Sequence, residues 1–340
     1  MDIKDSIAKL NHSEDLKKEE IASVINQILS GNCSSSDIKR FLVALSSKGE
    51  TVEEVIGAAE VMRNLSLKVQ TESKNLVDTC GTGGDGSGLF NVSTSAAILA
   101  SACGAKVAKH GNRSASSTSG SADLLEEAGV NLNLSSDQVA KCIDTVGVGF
   151  MFAPSHHSAM KHVMGPRKEL GIRTIFNILG PLTNPAGAAN QVIGVFDKSW
   201  LMPIAKVLKG LGSNRVMVVH SEDGLDEFSI QAPTLVAELR DNKIIEYSVL
   251  PEDLGIERSS ISGLKVSSPS ESLFLARDSL GGQNLIGSQM ISIASGAALY
   301  VSGIAQSLEE GFNESLSSIQ DGKGIAKLDE LISVTNSFKK

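Results

Sequence analysis

The chain has 340 residues, carries a formal net charge of −8 and is 41% hydrophobic but only 4% aromatic. That length and hydrophobic share fit a globular core divided between a larger and a smaller domain. The acidic balance and the scarcity of aromatic rings set aside general nucleic-acid binding, which uses a basic field and stacking surfaces.

Cys33, Cys80, Cys103 and Cys142 are widely spaced with no Cys-x-x-Cys pair, so neither a zinc cage nor a disulfide framework is expected. Met1-Asp-Ile-Lys-Asp opens a charged helix-like region without a signal-peptide block, and no uninterrupted apolar run reaches spanning length. The reading is a cytoplasmic chain that uses neither membrane nor nucleic acid. From Ser13 to about Arg63, apolar residues recur at helical spacing and predict three short helices, started at Ser13, at the Ser34 to Asp37 cluster and at the capping-box pattern Thr51-x-x-Glu54. Thr71 to Lys74 reads as a linker into a first strand, Leu76 to Cys80. Short apolar runs at 105–108, 149–153, 191–196 and 216–219 then alternate with helix-like stretches, the pattern of a largely parallel sheet. Lys243 to Leu250 reads as the return arm of a hairpin, which makes the sheet mixed. Polar turns are expected to about Gln289, and helices return over 291–302 and 308–334.

Four constellations carry chemistry. Between the first strand and an alanine-rich helix lies Asp78-Thr-Cys-Gly-Thr-Gly-Gly-Asp85-Gly-Ser-Gly-Leu-Phe-Asn91-Val-Ser93-Thr94. Glycines there let backbone N–H groups converge on an anion, and the helix N-terminus adds partial positive charge. The loop matches neither Gly-x-Gly-x-x-Gly nor a Walker A loop. A second glycine- and serine-rich element, Lys109-His110-Gly111-Asn112-Arg113 through Ser121 and Asp123, follows the next strand. Two anion loops in one domain point to a substrate with two phosphate groups, with Lys109 as a point charge. The third, Asp226-Glu227 after the strand at 215–220, offers hard oxygens to a magnesium-phosphate complex, or is an acidic surface turn. The fourth runs from His156-His157 through Arg167 to Gly180-Pro181 and Asn184-Pro185. Its histidines lack metal-ligand spacing, and Arg167 could hold a planar carboxylate by two parallel hydrogen bonds.

Together, Gly-Thr-Gly-Gly-Asp-Gly at 81–86, Phe-Asn-Val-Ser-Thr at 90–94, Lys-His-Gly-Asn-Arg at 109–113, Gly-Pro-Leu-Thr-Asn-Pro at 180–185 and Asp-Glu at 226–227 resemble the anthranilate phosphoribosyltransferase family over essentially the whole chain. The resemblance implies an α/β fold: a small all-helical domain, 1–72 joined by part of 155–190, and a large domain, 73–340, with a mixed, mainly parallel sheet flanked by helices. It implies a homodimer formed through the helical domain and an active site at the hinge.

By similarity, Gly81, Thr82, Gly84, Asp85, Asn91, Ser93, Thr94, Lys109 and Ser121 would surround phosphoribosyl pyrophosphate. Ser93, Asp226 and Glu227 would reach two magnesium ions, and Gly81, His110, Asn112, His157, Arg167, Gly180 and Pro181 would form the anthranilate side. The implied reaction is the phosphoribosyl step of tryptophan biosynthesis, which joins the amine of anthranilate to C1 of the ribosyl group without a covalent nucleophile. Leu89, Thr118, Ser158 and Pro166 depart from the family's commoner pattern. The alternatives are a pyrimidine nucleoside phosphorylase-like enzyme, disfavoured by Asp226-Glu227 and the acceptor segment, and a silent relative that binds nucleic acid or a partner.

Overall fold

The computed structural model describes residues 1–114 and 118–338. The chain opens with four helices, α1 (Ile3–Asn11), α2 (Lys18–Leu29), α3 (Ser35–Lys48) and α4 (Val52–Leu65). Ser34 caps α3 by accepting from the Asp37 N–H, and Thr51 with Glu54 forms the expected capping box on α4. Glu54 is fully buried and also accepts from the Leu16 N–H at 2.9 Å and from the Lys48 ammonium at 3.0 Å, so a single cap residue ties three segments together. Ser13 does not start a helix. It adopts a left-handed φ of 59° in the turn after α1, and α2 begins only after Lys17, whose N–H donates to Glu20.

The α/β part runs β1 (Val77–Gly81), α5 (Val92–Ala102), β2 (Val107–Gly111), α6 (Ser121–Glu127), α7 (Ser136–Thr145), β3 (Val148–Phe152), α8 (Ala153–His156), α9 (Lys161–Leu170), α10 (Ile175–Leu179), β4 (Asn190–Gly194) and α11 (Leu201–Gly210). There follow β5 (Arg215–Ser221), β6 (Thr234–Arg240), β7 (Lys243–Val249), α12 (Pro269–Leu280), α13 (Leu285–Ser302), α14 (Leu308–Gln320) and α15 (Lys323–Ser337). The seven strands lie in the order β3-β2-β1-β4-β5-β6-β7, parallel from β3 to β5 and antiparallel from β5 to β7. Asp241 and Asn242 both take positive φ in the β6–β7 turn, as that tight hairpin requires. The expected run of polar turns to Gln289 is wrong over α12 and the first turn of α13. Serine-rich, weakly periodic segments hid helices capped by Ser268 and Asn284.

Side-chain alternation sorts the sheet into two cores. Val192, Met217 and Val219 join α5 and α12–α15, whereas Ile193, Val216 and Val218 join α1–α4 and α9–α11. Val163, Ile175, Phe176 and Leu179, from α9 and α10, lie in the same apolar cluster as the N-terminal helices. α13 is long and apolar enough to cross a membrane by length and composition, but most of it is buried inside the fold as a core helix.

Candidate active site

Strand β1 pairs with β2 on one side and β4 on the other, and the chain visits β2 and β3 before returning to β4. That reversal opens a crevice at the carboxyl ends of β1 and β4, the place where open α/β sheets bind ligands. Gly81 ends β1 and Gly194 ends β4, and the chain at Asp226 crosses directly above both. A Cβ on Gly81 would lie 2.6 Å from the Asp226 carboxylate, and one on Gly194 would lie 1.6 Å from the Asp226 carbonyl oxygen. Both positions therefore need glycine for close approach of backbone.

Beyond Gly81 the glycine loop turns through positive φ at Gly83, Gly84, Gly86 and Gly88, values of 67–80° that side-chain-bearing residues rarely adopt. Several neighbours hold it. The Gly83 N–H donates to Asp226 Oδ2 at 2.8 Å, the Thr82 N–H to the Gly194 carbonyl at 2.9 Å, and the Ser87 N–H to Asp85 Oδ1 at 3.1 Å. The Thr82 hydroxyl accepts from the Phe196 N–H at 3.0 Å.

Asp226 lies directly against this loop, and Glu227 follows it toward the start of α5. The Ser93 N–H, in the first turn of α5, donates to Glu227 Oε1 at 3.1 Å. Burial pushes the Asp226 carboxyl up to about 7, with the nearby Asp85 charge adding to the rise. Burial and then the Asp226 charge push Glu227 up to about 8, against the pull of Lys109. Two hard oxygen donors so short of positive charge suit a magnesium ion. Among the described residues no group of three or more His, Cys, Asp or Glu side chains is arranged to hold a metal ion.

In the second loop, Lys109 points beneath the crevice. Its side chain is buried, 2% exposed, and its ammonium donates to the Thr79 carbonyl beneath the site. There its charge favours the ionised forms of Asp78 and Glu227. Asn91 ties the two loops together: its amide donates to the Ser119 carbonyl at 3.0 Å, and its Oδ1 accepts from the Ser119 and Ser272 hydroxyls at 2.9 and 2.8 Å. Thr94 Oγ1 is buried at the start of α5 with no partner among the described residues. Ser121 opens α6 and packs against Gly111 at the end of β2. The middle of the serine-rich loop, 115–117, lies outside the described residues. Of the departures from the family pattern, Thr118 donates its hydroxyl to the Val266 carbonyl at 3.0 Å and Leu89 bridges antiparallel to Lys265. Ser158 opens a short 3-10 turn, and Pro166 lies inside α9.

On the acceptor side, the His110 and His157 rings lie 5.1 Å apart, tilted by 55°. Both are buried, and Nε2 of each has no partner among the described residues. Burial lowers His110 to about 3 and His157 to about 4, so both rings are neutral at pH 7. Arg167 rests over Phe176 at 5.6 Å and donates to Asn177 Oδ1 at 3.4 Å, and its partial burial lowers its pKa. Asn112, exposed, accepts from the Arg113 N–H, and the Pro181 carbonyl of the Gly180-Pro181 turn accepts from Gln191 at 2.9 Å.

Sequence reasoning gave no role to Asp78, Asn184, Gly194 or Arg173. Asn184 Nδ2 donates to Asp78 Oδ2 at 2.7 Å and to the Ala108 carbonyl at 2.8 Å, which locks the end of the 180–185 turn under β1 and β2. An aspartate inside an apolar strand was the available signal, because a carboxylate buried there must have partners. Nothing in the one-dimensional pattern marked Gly194, whose neighbour is 32 residues away.

Comparison with known proteins shows the family and the fold. A family described as "Glycosyl transferase family, helical bundle domain" matches residues 4–66, and one described as "Glycosyl transferase family, a/b domain" matches residues 73–325. An anthranilate phosphoribosyltransferase of Hahella chejuensis is 54% identical over 100% of this chain and 99% of its own length. The anthranilate phosphoribosyltransferase of Thermus thermophilus superposes with a TM-score of 0.92 at 40% identity, over 98% of this chain and 99% of that one. The Saccharomyces cerevisiae enzyme has been solved in complex with PRPP and Mg (TM-score 0.90, 29% identity) and with 4-fluoroanthranilate (TM-score 0.87, 28% identity), each covering 98% of both chains. The chain belongs to the anthranilate phosphoribosyltransferase family. Its reaction is the transfer of the 5-phosphoribosyl group of phosphoribosyl pyrophosphate to the amine of anthranilate, the glycosyltransferase step of tryptophan biosynthesis.

Proposed function

We propose that this transfer takes place in the β1/β4 crevice, with phosphoribosyl pyrophosphate between the two glycine-rich loops and two magnesium ions at Ser93, Asp226 and Glu227. The observation that carries the reading is the half-buried Asp226-Glu227 pair, both carboxyls shifted upward, against a loop of positive-φ glycines. When bound, magnesium offsets the negative charge that gathers on the departing pyrophosphate. Around the phosphates, Gly81, Thr82, Gly84 and Asp85 supply the cradle, and Ser121 and the buried Thr94 hydroxyl line it. Asn91 holds the two loops in register. Lys109 acts from beneath, through the carboxylates, instead of touching phosphate.

Anthranilate lies against Gly81, His110, Asn112, His157 and the Gly180-Pro181 turn, with its carboxylate on Arg167. A guanidinium without a protein carboxylate partner is suited to that task. Because both histidines are neutral, they can hydrogen-bond the amine without adding a positive charge beside it. The amine lone pair forms the N–C1 bond as the C1–O bond breaks, the electron pair of that bond leaves on the pyrophosphate oxygen, and the arylammonium so formed gives up one N–H proton to an oxygen of the departing pyrophosphate. Orientation and charge compensation do the work, so no covalent nucleophile is required. The helical domain, 1–72 with part of 155–190, forms the second wall of the site and a homodimer interface in the cytoplasm.

The test is the fluorescence of anthranilate on mixing with protein, phosphoribosyl pyrophosphate and magnesium. Loss that requires all three supports the reading; a steady signal with all of them present rejects it.

A further inference from the structure

Arg173 lies in the turn between α9 and α10, six residues beyond Arg167. We propose that it is a positioning residue that fixes the glycine loop over the pyrophosphate and links that loop to the acceptor segment; the proposal rests on the functional reading above. Its guanidinium donates to the Gly84 carbonyl and stacks on the Phe196 ring, with its carbon 3.6 Å from the ring centre. Its own carbonyl accepts from the Ser46 hydroxyl of α3 at 3.3 Å. One residue thus joins the helical layer, the acceptor segment and the loop.

The contact has consequences for the loop's donors. A Cβ on Gly84 would come within 3.1 Å of the guanidinium, so glycine at 84 admits the arginine as well as the turn. Because a trans peptide is planar, holding the Gly84 carbonyl turned toward Arg173 aims the Asp85 N–H the opposite way. Asp226 holds the Gly83 N–H from the other side at 2.8 Å. The loop is therefore gripped at two successive residues by groups from different parts of the chain. Phe196, the platform for Arg173, is itself anchored to the loop through its N–H and the Thr82 hydroxyl. The partners of the guanidinium are a carbonyl and an aromatic face, so its positive charge is not consumed by a protein carboxylate and adds to the field over the anion site.

The test uses the full chain with Arg173→Ala, Arg173→Lys and Phe196→Leu, read by hydrogen exchange of the 82–90 segment without ligand and by steady-state kinetics. With one charge-assisted hydrogen bond and one cation–π contact removed, Arg173→Ala should speed exchange of the loop amides and raise the Michaelis constant for phosphoribosyl pyrophosphate, each by about tenfold. The anthranilate Michaelis constant and the turnover at saturation should move by less than about twofold, a separation that general loosening of the fold would not produce. Lysine, which keeps a donor and charge but loses the planar stack, should recover part of both effects. Loop exchange and the phosphoribosyl pyrophosphate constant both within about twofold of wild type would overturn the proposal, as would an equal rise for both substrates. If Arg173→Ala does not fold, Phe196→Leu decides: the same shifts, smaller, support the latch, and none overturns it. Should the wild type fail to consume anthranilate, the functional reading falls, while loop exchange still judges the latch.

Discussion

Converting Asp226 and Glu227 to their neutral isosteres, in the double variant Asp226→Asn with Glu227→Gln, should make the ligand-free protein more stable as it abolishes function. The carboxyls are lifted from 3.8 to about 7 and from 4.5 to about 8. At about 1.4 kcal/mol per pH unit, ionising either one in the folded chain costs about 4 to 5 kcal/mol, with the repulsion from Asp226 already part of the Glu227 rise. Below about pH 3 both carboxyls are protonated in folded and unfolded chains alike, and there is no penalty. As pH rises, the unfolded chain ionises first, so stability falls until the folded carboxyls ionise near 7 and 8, and then levels off. The amide variant lacks this slope, so its advantage over wild type should grow by about 6 kcal/mol between pH 5 and pH 8. Any constant offset from burying an amide there leaves that growth untouched. Urea unfolding at pH 5, 6.5 and 8 without ligand measures it. Magnesium with pyrophosphate should reverse the order at pH 8 by stabilising wild type alone. An advantage that stays constant from pH 5 to pH 8 would refute the reasoning.

Arg167→Ala should weaken anthranilate by about ten- to a hundredfold, the loss of about 1.5–3 kcal/mol from a charge-assisted contact, with little change for phosphoribosyl pyrophosphate; competition kinetics with each substrate varied in turn decide it. Gly194→Ala should cost about 3 kcal/mol or more, or prevent folding, because its Cβ would lie 1.6 Å from a carbonyl oxygen that the backbone fixes in place; a melting curve indistinguishable from wild type would show that the chain at 226 is not rigid. In the groove between α1 and α3, lined by Ile7, Leu10, Val43 and Ala44, the half-exposed Val43→Glu should shift a dimer toward monomer in sedimentation. A monomeric wild type would end the dimer proposal.

The fold was legible where local chemistry and period agree. The Thr51–Glu54 capping box, the short apolar runs of β2 to β5 and the hairpin into β7 each announce themselves within a few residues. Ser13 misled because a serine before a helix is also a turn residue, and the true α2 start uses Glu20 reaching back to the Lys17 backbone. α12 escaped because Pro269–Leu280 buries little beyond Ser272, Ala276, Ser279 and Leu280, which is too thin an apolar stripe to read as a helix. In the site, glycine loops and adjacent carboxylates are visible as composition. Which of them meet is set by strand order, and that is why Gly194 and Arg173 had no signal.

Lys109 illustrates the difference between a motif and its geometry. A lysine beside a phosphate loop invites the role of phosphate ligand, yet burying its ammonium at 2% exposure would be expensive if phosphate were its only partner. The fold instead sets Lys109 within electrostatic reach of Asp78 and Glu227 and gives it the Thr79 carbonyl as acceptor. Asp78 in turn accepts from Asn184 and from the His110 backbone N–H at 3.2 Å, and the chain enters the acceptor histidine there. One buried cation therefore draws Glu227 toward its ionised form and favours the charge on Asp78, the residue that fixes both the 180–185 turn and the start of the second loop. On the site proposed above, that network would tie the walls of both substrates together from beneath the crevice.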